Sequence, residues 1–189
     1  AEGNSWLAST GKGKDPEPGK DASSYVGSNG FGIDCDDING DGLDDIYLAT
    51  ISHPVSSDYS RKWSDPSQIL INQGKDGAFA FKNEALARKL PFNEGDIDAA
   101  LCDFDNDGRL DLSVTRDNKY ESGYATDDQK AWLGLMHQDK DGLFTSVGLV
   151  SGINDPAGMG LPRMKAGQNL GWSDIDNDGD LDLLVGEIG

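Results

Sequence analysis

Asp174-Ile-Asp-Asn-Asp-Gly-Asp-Leu-Asp182 has the form D-x-D-x-D-G-x-x-D, with carboxylates at positions one, three, five and nine and a glycine at position six. Two further copies stand upstream, Asp103-Phe-Asp-Asn-Asp-Gly-Arg-Leu-Asp111 and Asp37-Ile-Asn-Gly-Asp-Gly-Leu-Asp-Asp45. A hard cation such as Ca2+ takes six to eight oxygens at about 2.3–2.6 Å. Alternating side chains on a tightly curled loop can aim several carboxylates at one centre. Gly42, Gly108 and Gly179 permit a sharp turn that a side chain would obstruct. The next residues, Leu43, Arg109 and Asp180, would offer a backbone carbonyl, so their side chains are free to differ. Without a cation such carboxylates repel one another. A single copy could be a solvated Asp/Gly turn; three in register argue for metal.

What surrounds the loops decides the fold. A helical EF-hand needs a glutamate at position twelve, where this chain has Leu48, Val114 and Val185. Short apolar or β-branched runs follow each loop (Ile46-Tyr-Leu-Ala-Thr, Leu112-Ser-Val-Thr, Leu183-Leu-Val) and others precede them (Phe31-Gly-Ile-Asp-Cys, Ala99-Ala-Leu-Cys, Asn169-Leu-Gly-Trp). These read as strands. Each loop therefore joins two strands, and the fold class is all-β.

The first ligands lie 66 and 71 residues apart. Between loops a second signature recurs, Gln-x-Lys-Asp-Gly-x-Phe, at Gln73–Phe79 and Gln138–Phe144. Lys-Asp-Gly between apolar runs marks a hairpin. On this alignment His137 falls level with Asn72 and reads as framework. Each unit becomes a four-stranded antiparallel meander of about 65 residues, and repeated meanders of this kind indicate β-propeller blades. About two and a half blades are present: an arm or the tail of a preceding blade at 1–24, repeats at 25–91 and 92–160, and the start of a third at 161–189. Leu101, Leu112, Val114, Leu170, Trp172, Leu183 and Val185 are the expected core.

The 189-residue chain has a formal charge of −18 and 36% hydrophobic residues. Eleven of its acidic groups are loop ligands, and three bound Ca2+ would lower the charge to −12. The residual acidity disfavours nucleic acid and anionic membranes. No apolar run approaches the length of a membrane span. The start, Ala1-Glu-Gly, suits a mature N-terminus after signal removal or a trimmed chain. Weak, millimolar-range calcium loops suit a secreted, cell-surface or periplasmic setting. Cys35 and Cys102 precede the first and second loops on opposite faces of equivalent strands; they are either a disulfide between packed sheets or two free, buried thiols.

Long polar connections carry Tyr59 and Trp63 in the first unit and Tyr120 and Tyr124 in the second. Binding commonly resides in such loops, so these aromatics are candidates for gripping a partner; the alternative is loop aromatics covering a sheet edge.

The repeat resembles the FG-GAP/VCBS repeats of integrin-α-like propellers, and the third unit, Gly171-Trp-Ser-Asp-Ile-Asp-Asn-Asp-Gly-Asp-Leu-Asp-Leu-Leu-Val, resembles the ASPIC/UnbV-associated version. The resemblance covers residues 25–189 and is specific at the loops; the first departs from it with Asn39 and an extra acid, Asp44. It implies a seven-bladed propeller, secreted or on the cell surface, with structural Ca2+ at three sites in this chain. The implied ligands are Asp37, Asn39, Asp41, Leu43 (backbone) and Asp45; Asp103, Asp105, Asp107, Arg109 (backbone) and Asp111; and Asp174, Asp176, Asp178, Asp180 (backbone) and Asp182. Seven blades need on the order of 450 residues, so the expectation is a piece of a longer propeller, or one completed by other chains.

The functional expectation is a calcium-stabilised module for protein or glycan binding and adhesion. A second reading is a structural or accessory subunit of a larger secreted or periplasmic assembly. Part of a hydrolytic enzyme is a third, and the weakest: the two histidines, His53 and His137, have no neighbouring nucleophile pattern, and G-x-S-x-G is missing from the sequence. The chain is accordingly read as non-enzymatic.

Overall fold

The computed structural model describes residues 29–51, 67–90, 95–116, 133–153 and 167–187. The N-terminal arm, His53, the candidate partner-binding aromatics Tyr59, Trp63, Tyr120 and Tyr124, and most of the connection at 148–165 lie outside the described residues.

Among the described residues, ten strands form two four-stranded sheets and one two-stranded pair, all antiparallel. The first sheet runs β1 (Asn29–Asp36), β2 (Asp45–Ile51), β3 (Gln68–Asn72) and β4 (Phe81–Asn83) in sequence order. The second runs β5 (Asp96–Cys102), β6 (Asp111–Arg116), β7 (Leu133–Gln138) and β8 (Phe144–Ser146). The pair is β9 (Gly167–Ser173) and β10 (Asp182–Glu187). Each acidic loop joins the first two strands of its unit, as the flanking runs require. The closing pairs are Asp36 with Asp45, Cys102 with Asp111 and Ser173 with Asp182. Position nine is thus always the first residue of the second strand. Among the described residues no helix is long and apolar enough to cross a membrane.

The register corrects one reading of the repeat. Leu70 pairs with Ile46 and Met136 with Leu112, a constant step of 66. His137 is therefore level with Ile71, and Gln138 with Asn72. The shared Gln-x-Lys-Asp-Gly-x-Phe is off by one in the structure because the two hairpins differ in length. Gln138 pairs directly with Phe144, whereas Asn72 pairs with Phe81. Phe79 sits inside the longer turn at φ 59° and is 73% exposed, while Phe144 is 3% exposed. Phe81, not Phe79, is the counterpart of Phe144.

One core joins the two complete sheets. Tyr47, Ala49, Ile69 and Ile71 from the first meet Ala99, Leu112, Val114, Met136 and Phe144 from the second. Leu112 and Val114 are fully buried as expected, and Leu101 packs against this cluster. Leu183 and Val185 pack on Leu133; Leu170 and Trp172 are half-buried. The first strands of successive units lie side by side, β1 against β5 and β5 against β9. Carboxylates stitch these seams: Leu101 N–H donates to Asp34 Oδ2 at 2.7 Å, and Leu170 N–H to Asp98 Oδ2 at 3.1 Å. A buried polar knot lies between the first two sheets. There Asp96 accepts from Arg116 Nε (3.0 Å), Tyr47 Oη (2.8 Å) and Ser67 Oγ (2.6 Å). An ion pair this deep is tolerated because hydrogen bonds engage both carboxylate oxygens.

Both cysteines are free in the structure, so the disulfide alternative is not formed, and only one is buried. Cys35 stands exposed one residue before the closing pair of its hairpin. Cys102 is itself in a closing pair and turns to the inside. Burial pushes the Cys102 thiol up to about 12.

Candidate metal centres

The three loops repeat one hydrogen-bond pattern. The position-one carboxylate accepts from the N–H groups of positions five and six: Asp37 from Asp41 and Gly42 (2.9 and 2.7 Å), Asp103 from Asp107 and Gly108 (2.9 and 2.8 Å), Asp174 from Asp178 and Gly179 (both 3.1 Å). The position-five carboxylate accepts from the N–H of position seven, at 2.9 Å, 3.0 Å and 2.9 Å along the chain. These N–H donors curl the backbone and turn the carboxylates toward one centre. Two residues per loop take the left-handed conformation this curl needs. Position six is glycine, at φ 85°, 87° and 97°. Position four is Gly40, Asn106 or Asn177, at φ 76°, 59° and 61°; asparagine tolerates that region better than most side chains.

Position nine does more than the sequence indicated. Asp45 accepts from Ile38 N–H (3.1 Å) and from Asn72 N–H at the end of β3 (2.8 Å). Asp111 accepts from Phe104 N–H (3.3 Å) and from Gln138 N–H at the end of β7 (2.7 Å). Each therefore ties its loop to the third strand of its sheet. Both are fully buried, and burial raises both carboxyls above the usual range, while the N–H of Asn72 or Gln138 pulls the other way more weakly. Asp182 accepts from Ile175 N–H (2.9 Å) and is exposed.

The donor set fits a hard divalent cation. Ligand oxygens of Asp103, Asp105 and Asp111 lie within 4.8 Å of one another, as do those of Asp174, Asp176 and Asp182. Each carboxylate oxygen that accepts one N–H keeps a second lone pair. In the first loop Asn39 replaces the carboxylate at position three; its Oδ1 accepts from Asp41 N–H at 2.9 Å and its Nδ2 donates to Asp41 Oδ2 at 2.9 Å. Several acidic clusters of this chain could therefore hold a metal ion.

Two basic side chains, Arg109 and His137, stand against the acids of the second loop. Arg109, counted for its backbone carbonyl, turns its guanidinium to Asp107 and donates from Nε to Gln138 O at 3.0 Å. His137 Nε2 lies 3.1 Å from Asp105 Oδ2 and 3.4 Å from Asp107 Oδ2. The one-residue misalignment of β7 hid it, since the register gives Ile71 in its place. A cleft of about 450 Å³ opens between the first and second loops, with Asp37, Asn39, Arg109, Gln138 and Lys140 in its walls.

Residues 37–114, from the first ligand of the first loop to the strand after the second, match the family described as FG-GAP-like repeat. No curated protein matches the chain.

Proposed function

From a chain that carries an FG-GAP-like repeat, we propose a calcium-stabilised β-propeller module that works outside the cell or in the periplasm, without catalysis of its own, by presenting loops to a protein or glycan partner. The observation that carries this reading is the identical carboxylate-to-N–H pattern in all three loops. Such loops are carboxylate-rich clusters on hairpin tips, and a cation there would brace the hairpin. The ligand sets are those read from the sequence, one Ca2+ in each loop. Side-by-side packing of β1, β5 and β9 supports the propeller, because the first strand of each blade then faces a common axis.

The test is a glycan and extracellular-protein binding screen of the purified chain, run in calcium and in chelator. The reading expects at least one ligand bound in calcium and released in chelator. Binding that persists in chelator, or turnover of a bound glycan, contradicts it.

A further inference from the structure

We propose that the loops fill cooperatively, with Gln138 coupling the first loop to the second; this rests on the reading that the loops bind Ca2+. Three hydrogen bonds run from one buried position-nine carboxylate to the other. Gln138 N–H donates to Asp111 Oδ1 at 2.7 Å, Gln138 Nε2 donates to Ile38 O at 3.2 Å, and Ile38 N–H donates to Asp45 Oδ2 at 3.1 Å. Gln138 is buried, and its Nε2 also donates to Leu110 O at 2.6 Å. Positions seven, eight and nine of the second loop thus converge on one residue, which holds position two of the first.

The coupling follows from what an empty loop must do. Carboxylates clustered without a cation repel, and the second loop loosens. Leu110 O and Asp111 then shift away from Gln138, and Ile38 O loses its buried donor. A buried carbonyl left without a partner is costly, so ordering the first loop becomes harder. Linkage makes the effect mutual: filling either loop tightens the other. The bistable element is the loop itself, ordered or loosened. The second and third loops are joined more weakly. Phe104 stacks on Trp172 (centroids 6.3 Å apart, planes at 23°), and Asn106 Nδ2 donates to Asp180 Oδ1 at 3.2 Å between two exposed side chains.

The experiment is calcium binding by equilibrium dialysis and titration calorimetry on the 189-residue chain. Asp174→Ala leaves the first and second loops to be read alone. In that background the expected result is two ions with a Hill coefficient above one. Adding Gln138→Met keeps both ions and brings the coefficient to one. Adding Asp103→Ala instead leaves one ion, held at least about fivefold more weakly than the first-loop site beside a filled second loop. Unchanged affinity for that one ion overturns the proposal. Should the double variants fail to fold, a Hill coefficient of one in Asp174→Ala overturns it alone. Three independent ions in the unsubstituted chain defeat the coupling but leave the proposed function standing; no bound calcium defeats both.

Discussion

Position nine of the loops holds structure as well as offering a carboxylate to a cation. Asp45 and Asp111 are buried, and each accepts two backbone N–H groups from different elements; Asp182 is exposed and accepts one. Truncating a buried acceptor leaves its donors unsatisfied, at about 1–3 kcal/mol each. Asp111→Ala is therefore expected to cost at least about 2 kcal/mol in urea unfolding; a loss below about 1 kcal/mol, the range of exposed polar contacts, would refute this structural role. Cysteine chemistry offers a second check. With its thiol buried and pushed up to about 12, Cys102 should resist alkylation at pH 8.5, while exposed Cys35 reacts. One modified thiol in the native protein and two in denaturant is the expected mass-spectrometric result. At this scale the carboxylate clusters were legible because spacing within nine residues defines them. Gln138 was not, because its contact with Ile38 spans 100 residues of chain. The left-handed position four was within reach: Gly, Asn and Asn are the residues that tolerate it.

The hairpins around the loops could be read from the short apolar and β-branched runs, which place β1–β2, β5–β6 and β9–β10 where the structure has them. The β3–β4 and β7–β8 hairpins were harder. A seven-residue motif shared by both suggested one register, but turn length sets register, and the first turn is longer. Phe79 is carried into that turn and exposed, leaving Phe81 to open β4. Asp96 and Arg116 form the outermost pair at one end of the β5–β6 ladder, yet both are buried, because the first unit supplies Tyr47 and Ser67. Asp96→Ala removes the acceptor of three buried donors, one of them cationic. Its expected cost is about 3–5 kcal/mol, seen as a lower urea midpoint with unchanged m-value; a loss below about 1 kcal/mol, the range of exposed ion pairs, would mean the knot does not hold the sheets together.

For the molecule as a whole, the described residues make a row of sheets with first strands adjacent and acidic loops at the same hairpin of each unit. The sequence anticipated this through its 66-residue step; the seams between units, built by Asp34, Asp98 and the Asp96 knot, depend on contacts that no local pattern announces. Repulsion among the eleven loop carboxylates opposes the fold; on the proposed reading, calcium bound to the folded state offsets it. The most direct test is thermal unfolding in saturating calcium and after exhaustive chelation, with bound calcium counted in each sample. The account predicts three ions per chain and a melting temperature higher in calcium by about 10 °C or more. Calcium-free protein that melts at the same temperature as protein exposed to saturating calcium would contradict it.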